Sequence, residues 1–196
     1  MKTPNDAVKM GGYITIPPVK EKRWDVISGY IKLFNFQIGA ELGVADAVNY
    51  TNLMRINPLL RLYGIDSYEV EGNELERYEG GLYAEGQENR KINAEKLQSK
   101  YPDRSRMIFK RTDEAHKDIP DGHLDFVFID ADHTYEGVKR DIELWEPKVH
   151  QNGLIIGHDL NWGGVARAVG ECFSEFWISA DNVWASPKCW CNAIRT

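Results

Sequence analysis

Two hydrophobic periods run through this chain and predict alternating strands and helices. Trp24, Ile27, Ile31 and Phe34 recur at three- and four-residue steps, so they line one face of an amphipathic helix that begins near Glu21. Gln37 to Val44 reads as a short strand, Asp46 to Ile56 as a helix stopped by Asn57-Pro58, and Leu60 to Ile65 as a second strand. Glu85 to Tyr101 predicts a polar helix anchored by Ile92 and Leu97 and closed by Pro102, with a third strand at Met107 to Lys110. Leu124 to Ile129, LDFVFI, is an apolar run between Asp121-Gly122 and acidic residues, as a strand buried on both faces requires.

Val138, Ile142, Trp145 and Val149 repeat at helical spacing, and Gly153 to Ile156 predicts the next strand after a turn at Gln151-Asn152. Gly164 to Phe176 can form a last helix. The tail predicts an antiparallel hairpin, Asn182 to Ala185 against Lys188 to Ile194 around Ser186-Pro187, with Cys189 and Cys191 on one face. Gly11-Gly12 and Pro17-Pro18 make residues 1–20 an extended arm, and the acidic, aperiodic stretch Ser67 to Ala84 is long enough to suggest a functional loop.

Such alternation without internal repeats predicts one α/β domain over residues 21–196: a Rossmann-like, doubly wound, mostly parallel sheet with an antiparallel C-terminal hairpin. With 196 residues the chain buries roughly 70% of its unfolded surface, so neither disulfide nor metal is needed for folding. Cys172, Cys189 and Cys191 form no zinc or disulfide framework and are expected to be reduced thiols. No signal peptide or membrane-spanning run is visible, which predicts a cytoplasmic protein without a membrane partner. A net charge of -6 argues against nucleic acid, whose non-specific binding depends on clustered Lys and Arg, and favours a small-molecule acceptor. A homo-oligomer is left open.

In doubly wound sheets ligands bind beyond the carboxyl ends of the strands. Four of those ends carry acids: Glu41 in AELGVADA, Asp66 in YGIDSYE, Asp130 in FIDADHTYEG and Asp159 in IIGHDLNW. Gly43 after the first strand lets backbone approach a ligand, and Asp66, 25 residues beyond Glu41, suits an acceptor for ribose hydroxyls. A full G-x-G-x-G loop would need glycine at Ala45 and Ala47. Fewer glycines suit a ligand without pyrophosphate, so an adenosyl sulfonium fits better than NAD or ATP.

These motifs, above all the run FIDADHTYEGVKRDIELWEPKVHQNGLIIGHD, make the stretch from about Trp24 to Phe176 resemble the class I S-adenosylmethionine-dependent methyltransferases. That group includes macrocin O-methyltransferase, cephalosporin hydroxylase-like proteins and, more distantly, catechol O-methyltransferase. The resemblance implies S-adenosyl-L-methionine as cofactor, with Gly43 and Glu41 at its methionine part, Asp66 at the ribose, and Thr112 and Asp113 at the adenine edge. For the last two a helix N-cap is the alternative. It also implies, as in metal-dependent relatives, a divalent cation such as Mg²⁺ on Asp130, His158 and Asp159, with His133 as the base.

Imidazole at His158 suits Mn²⁺, Fe²⁺ or Zn²⁺ better than Mg²⁺. A neutral His133 beside Asp130, Asp132 and Asp159 could accept the proton of an attacking hydroxyl. The expected activity is methyl transfer to a hydroxyl of a small molecule, a sugar or a phenol. A non-catalytic module that binds a nucleoside or a partner protein is the alternative, because fold alone does not fix function. His116, His123 and His150 carry no pattern that assigns them a role, and Trp184 reads as core.

Overall fold

Leu124–Ile129 forms the central strand, β4, as the sequence predicts, and its neighbours define the rest. The computed structural model describes residues 21–69 and 81–191. The expected arm at residues 1–20, the middle of the acidic loop and the last five residues lie outside them. The strands are β1 (Ile38–Leu42), β2 (Arg61–Ile65), β3 (Ser105–Ile108), β4, β5 (Val149–Gly157), β6 (Trp177–Ile178) and β7 (Trp184–Pro187). The helices are α1 (Arg23–Phe34), α2 (Val48–Ile56), α3 (Gly81–Lys100), α4 (Thr112–Ala115), α5 (Tyr135–Trp145) and α6 (Gly163–Cys172). None of these helices is long and apolar enough to cross a membrane.

The described strands form one sheet in the order β3-β2-β1-β4-β5-β7-β6, and β1 to β5 are parallel. The chain reverses its winding between β1 and β4. Alternate residues of β4 explain why that strand reads as uninterrupted apolar sequence. Phe126 and Phe128 join the cluster under α1 to α3, whereas Val127 and Ile129 join the cluster under α5 and α6. Each fully buried aromatic contributes about 1.5–3 kcal/mol, so both layers are locked to the same strand.

Several boundaries differ from the sequence expectation for local reasons. Pro147 lacks the N–H that a continuing helix needs, so α5 stops at Trp145 and a 3₁₀ turn follows; Val149 opens β5 instead of closing the helix. Gln151 and Asn152 are part of β5, which absorbs them in an irregularity between the Leu124 and Phe126 pairings. In α3, which starts before Glu85, Ala94 is fully buried and Leu97 packs on the core, but Ile92 is exposed and anchors nothing.

The tail hairpin exists but is shifted towards the N-terminus. β7 pairs antiparallel with both β5 and β6, and the turn falls at Asp181 and Asn182, which both take the left-handed conformation. Asp and Asn tolerate that backbone, and Asn182 is therefore a turn residue, not the start of a strand. Lys188–Trp190 is a 3₁₀ turn instead of the second hairpin arm; Cys191 is buried beside Phe173, whereas Cys189 is half-exposed. α6 ends at Cys172, short of Phe176.

Candidate functional site

The crevice beyond β1 and β4 gathers the expected strand-end residues. Gly43 leaves β1 with φ 81°, and a Cβ there would lie 2.2 Å from the carbonyl oxygen of Asp130 and 2.7 Å from Cα of Ala131. Glycine is thus required first by the contact between two strand ends. Ala45 and Ala47, at the positions where a glycine loop would continue, adopt φ 46° and 57°. The loop keeps the left-handed turns of a glycine-rich motif with alanine in them, at a cost of about 1–2 kcal/mol each.

Asp66 stabilises that loop from β2. Its Oδ2 accepts the Ala45 N–H at 2.9 Å, and its Oδ1 accepts the Tyr68 N–H at 2.9 Å. Each oxygen keeps a second lone pair for a ligand hydroxyl. Glu41 is 1% exposed and lies beneath the crevice, so it reaches a ligand only through its neighbours. Burial first, and then the charge of Asp130, push its carboxyl well above the ordinary range, and its Oε2 has no hydrogen-bond partner.

A compact charged cluster closes the β4 and β5 ends. His133 Nε2 approaches Asp159 Oδ2 at 2.8 Å and Asp130 Oδ1 at 3.5 Å, as ion-pair contacts without hydrogen-bond alignment. His158 Nδ1 lies 3.1 Å from Asp159 Oδ1 and 3.6 Å from Asp130 Oδ1. Asp159 holds this position in the left-handed conformation, φ 54°. From α1, Arg23 Nη1 donates to Asp130 Oδ2 at 2.5 Å and lies 3.4 Å from His158 Nδ1. Burial would raise the Asp130 carboxyl, but His133, His158 and Arg23 outweigh it and hold it below its ordinary range. Asp130 in turn raises the His133 imidazole; burial opposes this and Asp159 reinforces it.

The divalent-cation expectation can be tested on these donors. Ligand atoms of Asp130, His133 and Asp159 lie within 4.8 Å of one another, so a cation set exists, with His133 in place of the expected His158. Arg23 nevertheless occupies both Asp130 and His158, two of the three residues expected to hold the ion. Each carboxylate oxygen already faces a nitrogen of Arg23, His133 or His158. Two negative charges are thereby matched within the protein, and the donor set in this arrangement does not fit Mg²⁺.

Other expected residues have different partners. The Thr112 hydroxyl donates to Asp141 Oδ1 at 2.7 Å, and Asp113 pairs with Arg111 at 3.2 Å. Arg111, not Thr112 or Asp113, is the N-cap of α4. Asp132 turns from His133 to accept the Thr134 N–H and hydroxyl, which starts α5. Tyr135 covers α6 through Glu171 and Arg167, and Trp184 is fully buried. Sequence reading missed Arg23, whose only signal is a cation at a helix start, where the dipole disfavours it. It also missed Trp162, half-exposed with its ring 5.2 Å from that of His133.

Comparison with known proteins agrees with this architecture. The sequence family described as "Methyltransferase domain" matches residues 36–160. A 55-residue stretch is 38% identical to the uncharacterized protein y4gI of Sinorhizobium fredii; it covers 28% of this chain and 6% of that much longer protein. Solved structures that share the fold include the following three. A Staphylococcus aureus protein assigned as a caffeoyl-CoA O-methyltransferase has a TM-score of 0.57 at 16% identity, over 94% of this chain and 91% of that one. The Podospora anserina methyltransferase PaMTH1, solved with SAH bound, has a TM-score of 0.58 at 11% identity, over 85% and 79%. CalS11, a TDP-rhamnose 3'-O-methyltransferase of calicheamicin biosynthesis, has a TM-score of 0.53 at 14% identity, over 84% and 76%.

Proposed function

The chain belongs to the methyltransferase domain family, and from that premise we propose that it transfers a methyl group from S-adenosylmethionine to a hydroxyl oxygen of a small molecule. The observation that carries this reading is the juxtaposition, across the β1/β4 switch point, of the Gly43–Ala47 turn and Asp66 with His133, Asp130 and Asp159. Ligands enter doubly wound sheets at that point.

In this reading Asp66 accepts the ribose hydroxyls with its free lone pairs, the turn from Gly43 to Ala47 faces the methionine part, and Glu41 supports it from below. Thr112 and Asp113 are assigned to the adenine edge, where Thr112 would act from its bond to Asp141 and Asp113 from its pair with Arg111. S-adenosylmethionine, when bound, supplies an electrophilic methyl group on a sulfonium. His133 takes the proton of the attacking hydroxyl as the oxygen–methyl bond forms and the sulfur–methyl bond breaks, leaving S-adenosylhomocysteine. Asp130 and Asp159 orient the imidazole and stabilise its positive charge.

Calorimetry with S-adenosylmethionine and S-adenosylhomocysteine, followed by transfer of a labelled methyl group to panels of sugars and phenols, tests the proposal. Micromolar binding and labelled ether product are expected. A folded protein that binds neither adenosyl compound would instead be a non-catalytic partner-binding module.

A further inference from the structure

Arg23 has no part in the chemistry expected of this site, yet it is built into it from both ends. It is the first residue of α1, where the helix dipole disfavours a cation. Its backbone N–H donates to Asp181 Oδ2 at 2.9 Å, which ties the helix start to the β6–β7 turn. Its guanidinium then reaches Asp130, whose side chain is 12% exposed, and donates at 2.5 Å. This contact divides the Asp130 carboxylate: Oδ2 belongs to Arg23, and Oδ1 faces His133 and His158.

We propose that Arg23 is the resident cation of the site, doing on Asp130 what a divalent ion would otherwise do. It neutralises the Asp130 carboxylate permanently, leaves Asp159 to His133 and His158, and fixes Asp130 so that Oδ1 faces His133. Arg23 is therefore a positioning residue, and the site works without metal. A divalent ion entering between Asp130 and Asp159 would meet the guanidinium charge and would find its carboxylate ligands engaged. An arginine suits this role because its charge is never lost by deprotonation. The catalytic consequence rests on the methyl-transfer reading; the metal consequence does not.

The test is Mn²⁺ binding to the full chain, followed by electron paramagnetic resonance of the free ion, since Mn²⁺ accepts mixed imidazole and carboxylate ligands. Wild-type protein and Arg23→Lys are expected to bind no Mn²⁺ below about 1 mM, whereas Arg23→Met and Arg23→Gln gain a site at least about tenfold tighter. Adding Asp159→Asn to either variant should remove that site, and circular dichroism identifies the variants that are folded. Micromolar Mn²⁺ binding to wild type that Asp159→Asn abolishes overturns the proposal by itself, whatever the Arg23 variants do. Folded Arg23→Met or Arg23→Gln with no gain in Mn²⁺ affinity overturns it as well. Failure to bind S-adenosylmethionine, measured in parallel, would sink the methyl-transfer reading and leave this one standing.

Discussion

His133 Nε2 stands 2.8 Å from Asp159 Oδ2, although the two residues leave different strand ends and lie on opposite sides of α5 in sequence. Asp130 Oδ1 approaches the same nitrogen at 3.5 Å, so two carboxylates converge on Nε2 and stabilise the protonated imidazole. A base so placed is stronger than free histidine but must first lose its proton to act.

His133→Ala is therefore expected to lower kcat by about 10²- to 10⁴-fold with little change in S-adenosylmethionine affinity. The wild-type rate should climb with pH through a value above the ordinary histidine range and then level off. Stability runs the other way: the increment from the charged imidazole is complete below the unfolded pKa and is lost as pH rises through the folded one. A folded His133→Ala that turns over a verified acceptor within about threefold of wild type would remove His133 as the base.

Asp66→Ala should weaken S-adenosylmethionine by about 1.5–3 kcal/mol, the cost of hydrogen bonds to a charged acceptor. Because the carboxylate also receives the Ala45 and Tyr68 N–H groups, the melting temperature should fall too. Calorimetry and thermal melts separate the two effects, and an unchanged dissociation constant would show that the ribose is held elsewhere.

Opposite exchanges of glycine and alanine two residues apart should have opposite results. Ala45→Gly relieves a left-handed alanine, and after the entropy that glycine adds to the unfolded chain a gain of up to about 1 kcal/mol remains. Gly43→Ala drives a methyl group into the backbone of Asp130 and Ala131 and should be strongly destabilising. Denaturant melts of both variants check this; equal stabilities would mean that the loop relaxes freely.

Asp141 is fully buried, and burial pushes its carboxyl up to about 6, with the Thr112 hydroxyl bond opposing the rise. A raised acid destabilises the fold progressively as pH climbs from the unfolded value through 6. Asp141→Asn, which keeps an acceptor for Thr112, should then stabilise the protein by about 2–3 kcal/mol at pH 8 and by little near pH 4, using 1.36 kcal/mol per pKa unit. Equal effects at both pH values would show that the carboxyl does not titrate in this way.

The sequence by itself determined the order of the five parallel strands and of the longer helices, the doubly buried β4 and the acids at the strand ends, but not the short α4 and β6. These are local properties: apolar period, Pro and Gly punctuation, and the residue that follows a strand are written within a few positions of one another. Local chemistry also misled where two signals competed. Ser186-Pro187 suggested the hairpin turn, while Asp181-Asn182, which tolerates left-handed backbone, made it. Only the tertiary structure decided what the acids meet. Arg23 and Asp130 are 107 residues apart, and no periodicity relates them; the packing of α1 on the sheet and the Asp181 anchor bring them together. Likewise Ala45 and Ala47 spell a broken glycine motif, yet their backbone keeps its shape because Asp66 accepts the Ala45 N–H from the neighbouring strand. A hydrogen bond or an ion pair depends on where two chain segments stop in space, and that is fixed by the packing of the whole core.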